Sequence, residues 1–224
     1  MSAPNPLAPT NSFTFALSVR KYLASPFRRL FRTKVYGTQN VPDGPVIFAG
    51  NHISYADPMI LWASASRPVH FMAKSTLWEN PVLAWGLSRL WAFPVDRDKP
   101  DRTAIHIAET LLKRGDTVGI FPEGTRNLSG TADAQQGVAF IALRAGAPIV
   151  PVAIVGTEKI RPRGVRTIRF PQVKIAFGQP IVPADFSEGT RKEQMAMITS
   201  AVMKGIESQV AKVREGKLEE GSAR

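Results

Sequence analysis

The chain of 224 residues contains no cysteine. That absence excludes disulfides, zinc–thiolate centres, iron–sulfur clusters and a cysteine nucleophile. It also suits a reducing compartment. Long apolar runs are missing too: no stretch approaches the ~18–20 consecutive apolar residues that a membrane-spanning helix requires. The beginning of the chain lacks the order of a secretory signal, because its positive charges follow the apolar run Ser12–Val19 instead of preceding it. The expected location is therefore the cytoplasm, free or attached to a membrane face. Histidine is scarce, with three residues in all, so a histidine-based site has few candidates. The composition is otherwise that of a folded protein, with 44% hydrophobic and 21% charged residues. The length suits one domain, with or without a short appendage. A core is expected, since a chain of this size hides roughly 70% of its unfolded surface.

Acidic residues are absent from two stretches. Residues 1–42 hold Arg20, Lys21, Arg28, Arg29, Arg32 and Lys34 with no acid, and residues 159–184 hold Lys159, Arg161, Arg163, Arg166, Arg169 and Lys174 with none. The remaining stretches nearly balance, so these blocks account for the net charge of +11. Basic blocks bind polyanions, either nucleic acid or an anionic membrane surface, unless they serve only as solvated surface. No nucleic-acid motif and few clustered aromatics accompany them, which argues against nucleic acid.

Eighteen prolines and seventeen glycines imply short elements joined by tight turns. Residues 1–11 are expected to fray. Residues 12–33 read as two short helices broken at Ser25–Pro26, with Phe27, Leu30 and Phe31 on one face and Arg28, Arg29 and Arg32 off it. Such a segment is either an interfacial helix or one packed on the domain. Strands and helices then alternate. Strands are expected at 45–49, 69–73, 92–95, 117–121, 149–155 and 173–177. Helices are expected from Asp57–Pro58 onward and at 80–91, 101–114, 137–145 and 188–214. Pro151 should confine its strand to an edge or a bulge. The order implies an α/β fold, a largely parallel sheet covered by helices.

His70 falls inside a predicted strand and His106 inside a helix, both structural positions. His52 sits just past a strand in Gly50-Asn51-His52-Ile53-Ser54-Tyr55-Ala56-Asp57-Pro58. Ligands of open α/β sheets gather beyond the carboxyl ends of strands. A carboxylate that holds one ring nitrogen leaves the other free to accept a proton. Asp57 can fold back to do so; on spacing alone it is equally readable as a helix cap. The chain supplies no partner nucleophile, so a substrate would bring its own hydroxyl. Phe121-Pro122-Glu123-Gly124-Thr125-Arg126 also follows a strand, with a glycine for close backbone approach and an arginine suited to phosphate. Phe93-Pro94-Val95-Asp96-Arg97 ends another strand with a second arginine, and Val150-Pro151-Val152 lies in a third.

These blocks in this order, with the lead-in Gly37-Thr38-Gln39-Asn40-Val41-Pro42, resemble the glycerolipid acyltransferase family over about Val35 to Ile181. The resemblance implies an acyltransferase fold with short N-terminal helices. Residues 1–34 would be basic, membrane-associating helices and 35–224 the acyltransferase domain. It implies transfer of a fatty acyl group from acyl-CoA or acyl carrier protein to the free hydroxyl of lysophosphatidic acid, in phospholipid synthesis. His52 would be the general base and Asp57 its orienting partner. Asn51, Arg97, Glu123, Gly124, Thr125 and Arg126 would bind the acceptor. No metal, cofactor or acyl-enzyme is implied. The partners would be the thioester donor, a lysophospholipid and an anionic membrane, with the protein peripheral on the cytoplasmic face. One departure stands out: residues 127–136 carry no Lys or Arg where the family often has a basic residue before a glycine. The alternatives are an acyltransferase for another lysolipid, such as a lyso-ornithine lipid or a glycolipid, and a non-catalytic protein that binds lipid or nucleic acid.

Overall fold

In the computed structural model, residues 11–89, 91–96, 101–122, 132–162 and 167–218 are described. Expectations for residues 1–10, Arg97 and Glu123–Arg126 lie outside them.

The strands are β1 (Lys34–Tyr36), β2 (Val46–Gly50), β3 (His70–Lys74), β4 (Ala92–Val95), β5 (Thr117–Ile120), β6 (Ile149–Val155) and β7 (Lys174–Phe177). The helices are α1 (Asn11–Leu30), α2 (Asp57–Ser64), α3 (Pro81–Arg89), α4 (Arg102–Lys113), α5 (Ala132–Ala145) and α6 (Arg191–Glu215). One sheet holds the strands in the order β1-β7-β6-β2-β5-β3-β4. Strands β2 to β6 run parallel, so their carboxyl ends share one edge. β7 is antiparallel to β6, and β1 is parallel to β7.

The sequence explains the layering. Val46-Ile47-Phe48-Ala49-Gly50 is buried throughout, as a parallel strand covered on both faces must be. Phe48, Val150, Val152 and Ile154 face α1 and α2, with Ile60 and Leu61 against them. Ile47, Ala49 and Ile149 face the other way, onto α4, α5 and α6 through Leu111, Leu112, Ile141, Ile198 and Val202. The apolar stripe of α4 follows its 3.6-residue period, with Ala104, Ala108, Leu111 and Leu112 buried. Asp101 caps α4, accepting from Ala104 N at 2.9 Å. Thr190 and Glu193 close a capping box on α6, and Gly216 ends it. Helix α6 lies close on β6: a Cβ on Gly205 would stand 2.7 Å from Cγ of Pro151, so no larger residue fits there unmoved.

Three expectations are corrected. The N-terminal segment is one continuous helix with Pro26 inside it. Pro26 lies on the exposed side, where the carbonyl it leaves without a donor can take water. Of the two expectations for Pro151, an edge or a bulge, the edge does not hold, since its strand lies between β2 and β7. Ile149 N donates toward β7, to Ile181 O at 2.9 Å, so the nitrogen of Pro151 faces the same way two residues on. The chain beyond β7 stays opposite it, Gly178 N donating to Pro151 O at 2.8 Å, and the register slips by one residue between the pairs Val152–Phe177 and Ile149–Ile181, so Pro151 sits at a bulge. Finally, β1 is a strand that the sequence pattern did not suggest, and α5 begins five residues before its expected start.

Candidate active site

The loop after β2 turns on one carboxylate. Asp57 is the first residue of α2, yet no side chain caps that helix. Its Oδ2 instead accepts from the backbone N–H groups of Ile53 and Ser54, both at 2.7 Å. The same oxygen lies 3.0 Å from Nδ1 of His52. Its Oδ1 accepts from the hydroxyl of Thr157 at 2.6 Å. Asp57 is fully buried and His52 is 9% exposed. The helix-cap reading is therefore displaced. An Nδ1–H donated to the carboxylate leaves Nε2 with its lone pair, the state a general base requires.

Two further contacts hold this loop. The side chain of Asn51 grips the main chain of Ile154 in β6, donating to its carbonyl at 2.9 Å and accepting from its N–H at 2.7 Å. Asn51 is 7% exposed, so the structure gives it a bracing place at the end of β2. On the other side, the imidazole of His52 stacks on the ring of Phe121, with centroids 4.5 Å apart at 26°. Phe121 follows β5 and stacks in turn on Phe71 of β3.

The strands leading to the other motifs end on the same edge. Glu123–Arg126 follows β5, the immediate neighbour of β2; Arg97 follows β4, three strands away. At ~4.8 Å per strand, the end of β4 lies about 14 Å from that of β2. Sequence reasoning missed Thr157 and the stacking role of Phe121. The available signal for Thr157 was its place just past β6, at the shared edge. Beside it, Gly156, Lys159, Lys174 and Arg214 line a cleft of ≈ 370 Å³. Among the described residues no three His, Asp or Glu side chains gather as a metal ion requires.

The other buried charges lie in the supporting structure. Glu109 on α4 receives Lys113 at 2.7 Å and Arg144 of α5 at 2.9 Å. Those hydrogen bonds hold its carboxyl below the usual range, Lys113 first, against the opposing effect of desolvation. His70 of β3 is 5% exposed, and its ring lies 5.9 Å from that of Trp91. Burial pushes its imidazole below the ordinary value; Asp116 opposes this and Arg114 adds to it.

Comparison with known proteins points one way. The Acyltransferase family model matches residues 32–155. A 1-acyl-sn-glycerol-3-phosphate acyltransferase of Bacillus subtilis is 34% identical over 171 residues, covering 75% of this chain and 83% of that protein. One of Streptococcus pneumoniae is 31% identical, over 68% of this chain and 57% of its own length. The crystal structure of the 1-acyl-sn-glycerophosphate (LPA) acyltransferase from Thermotoga maritima superposes with a TM-score of 0.65 at 26% identity, covering 88% of this chain and 86% of that one.

Proposed function

The chain belongs to the acyltransferase family, and on that premise we propose that it transfers a fatty acyl group from an acyl thioester to the free sn-2 hydroxyl of lysophosphatidic acid, giving phosphatidic acid. The names of its relatives support the acceptor. The observation that carries the chemistry is the contact of His52 Nδ1 with Asp57 Oδ2, 3.0 Å apart at the carboxyl end of β2.

In this reading Asp57 holds the Nδ1 proton and Nε2 takes the proton of the acceptor hydroxyl as its oxygen attacks the thioester carbonyl. The tetrahedral adduct collapses with cleavage of the C–S bond. The departing thiolate recovers the proton from Nε2, so atoms and charge balance and no acyl-enzyme forms. General-base assistance of this kind is worth roughly 10²–10⁴-fold in rate. Glu123, Gly124, Thr125 and Arg126 hold the glycerol phosphate, with Arg97 a second guanidinium for it. Asn51 acts by bracing the loop.

The donor is acyl-CoA or acyl carrier protein, and the acceptor is met at an anionic membrane to whose cytoplasmic face the protein attaches peripherally. Supporting this, Tyr22, Leu23 and Leu30 of α1 stand exposed beside Lys21 and Arg29, and Val82, Leu83 and Trp85 of α3 are exposed as well. No helix among the described residues is long and apolar enough to cross a membrane.

The test is an acyl-transfer assay with labelled acyl-CoA and labelled acyl carrier protein in turn, against lysophosphatidate, a lyso-ornithine lipid and a lysoglycolipid. Lysophosphatidate should be the preferred acceptor, and His52→Ala should lose at least 10²-fold in kcat. Near-normal turnover by His52→Ala would overturn the mechanism. Preference for another lysolipid would move the acceptor, and the missing basic residue in 127–136 would then be its explanation.

A further inference from the structure

The carboxylate that orients His52 is itself held from across the sheet. Asp57 Oδ2 is crowded with three partners, the backbone N–H groups of Ile53 and Ser54 and Nδ1 of His52. Its Oδ1 has one hydrogen bond, from the hydroxyl of Thr157 at 2.6 Å. Thr157 is completely buried and lies one hundred positions further along the chain. A carboxylate pinned at one oxygen can still swing about its Cβ–Cγ bond; a second bond at the other oxygen removes that freedom. The backbone is arranged to deliver this hydroxyl. Gly156 turns the chain at φ 103°, and a Cβ there would meet the carbonyl of Gln172 at 2.4 Å. The N–H of Gly156 is closed by Glu158 Oε2 at 2.9 Å. Two residues earlier, Ile154 is clamped by Asn51. The end of β6 thus fixes both flanks of His52, Asn51 directly before it and Asp57 five residues on.

We propose that Thr157 is a positioning residue for acyl transfer, acting through Asp57 to set the plane of the His52 imidazole. This rests on the reading that Asp57 orients His52 as the base. Thr157 touches neither substrate in this scheme, so its loss lowers kcat and leaves both KM values in place. Misplacing a reacting group by about 1 Å costs on the order of 10²-fold. Thr157→Val keeps the shape and removes the hydroxyl, and kcat should fall ten- to a hundredfold, roughly within that range. Thr157→Ser retains the hydroxyl and should restore most of the activity.

The experiment is steady-state kinetics of wild type, Thr157→Val and Thr157→Ser with lysophosphatidate and an acyl thioester varied in turn, together with thermal melts. It is repeated in an Asp57→Asn background. The expected result is a loss in kcat alone, recovery in the serine variant, and almost no further loss from Thr157→Val once Asp57 is already asparagine. A Thr157→Val enzyme with normal kcat and only a lower melting temperature would overturn the proposal, as would equal losses in the two backgrounds. His52→Ala run alongside separates the levels. If it too keeps its activity, the base assignment has failed; if it is inactive while Thr157→Val is normal, only the role of Thr157 has.

Discussion

The ring of Phe121 lies against the imidazole of His52, 4.5 Å between centroids and 26° from parallel. Phe121 comes from the end of β5 and His52 from the loop after β2, so the stack joins neighbouring strands at the edge where the chemistry is proposed. Hydrogen bonding at Nδ1 fixes one axis of the imidazole; the flat face of Phe121 limits rotation about it. Phe121→Leu keeps most of the apolar volume and loses that face. An aromatic pair is worth about 0.5–1.5 kcal/mol beyond its buried area, which is roughly a two- to tenfold change in rate if all of it is felt in the transition state. A fall in kcat of that size, with KM for both substrates unchanged, is expected from steady-state kinetics. Phe121→Ala should in addition lower the melting temperature, because deleting a buried phenyl ring costs about 3–5 kcal/mol.

Arg126 is expected to discriminate between the substrates. Hydrogen bonds to a charged group contribute roughly 1.5–3 kcal/mol, so Arg126→Ala should lose about tenfold or more in kcat/KM against lysophosphatidate. Lysine keeps the charge and loses the planar fork, so Arg126→Lys should fall between alanine and wild type. A loss confined to the KM of the acyl donor would move Arg126 to the thioester side. A loss against both substrates together with a lower melting temperature would mark it as a residue that ties down a turn.

Membrane attachment is better tested by charge than by truncation. Removing the first 33 residues would strip Arg20 from the carbonyls of Trp62 and Ala65, and would uncover the core around Phe31. Changing Lys21, Arg28 and Arg29 together to Gln leaves those contacts alone. Each basic residue near an anionic surface contributes about 1 kcal/mol, screened by salt. The triple variant should bind anionic vesicles at least tenfold more weakly in a sedimentation assay. The wild type should approach it as salt is raised. Vesicle binding indifferent to both changes would remove α1 as the electrostatic anchor.

His70 is expected to give stability a pH dependence. Its imidazole is depressed by burial in the folded protein, whereas in the unfolded chain it protonates near pH 6.5. The unfolded state therefore takes up the proton first as pH falls. The stabilisation is complete above about pH 6.5 and is lost as pH drops through the window below it. Glu109, depressed by Lys113 and Arg144, follows the carboxylate sign: its contribution is present above the ordinary carboxylate value of about 4.3 and fades only at lower pH. Urea melts between pH 7.5 and 5.5 should show a decline in wild type that is shallower in His70→Gln. Parallel slopes would show that His70 is not its source.

His52 and Asp57 were legible because their relation is local: five positions, one strand end, one turn. The alternation of apolar runs was equally plain, and the strands from β2 to β7 fall within one residue of where their patterns put them. What stayed hidden depends on partners far along the chain. Thr157 reads as an ordinary turn residue until the sheet brings it to Asp57. Pro151 argues for an edge or a bulge, and only the partner segment between Phe177 and Ile181, with its extra residue, decides for the bulge. Pro26 reads as a break because local rules do not know that its side of the helix is open to water. β1 is three residues long with one buried, too brief for any periodicity to announce it.

The placement of β1 has a consequence in time. Lys34 pairs with Lys174, so β1 waits for about 140 further residues before the neighbour it has among the described residues exists. At about 5–20 residues per second that is roughly 7–28 seconds during which β1 has no strand to pair with. The pairing of β1 with β7 is thus a non-local contact, of the kind that forms slowly. In a cell, the exposed apolar and basic residues of α1 are made before that interval ends, ahead of the sheet edge where the chemistry is proposed.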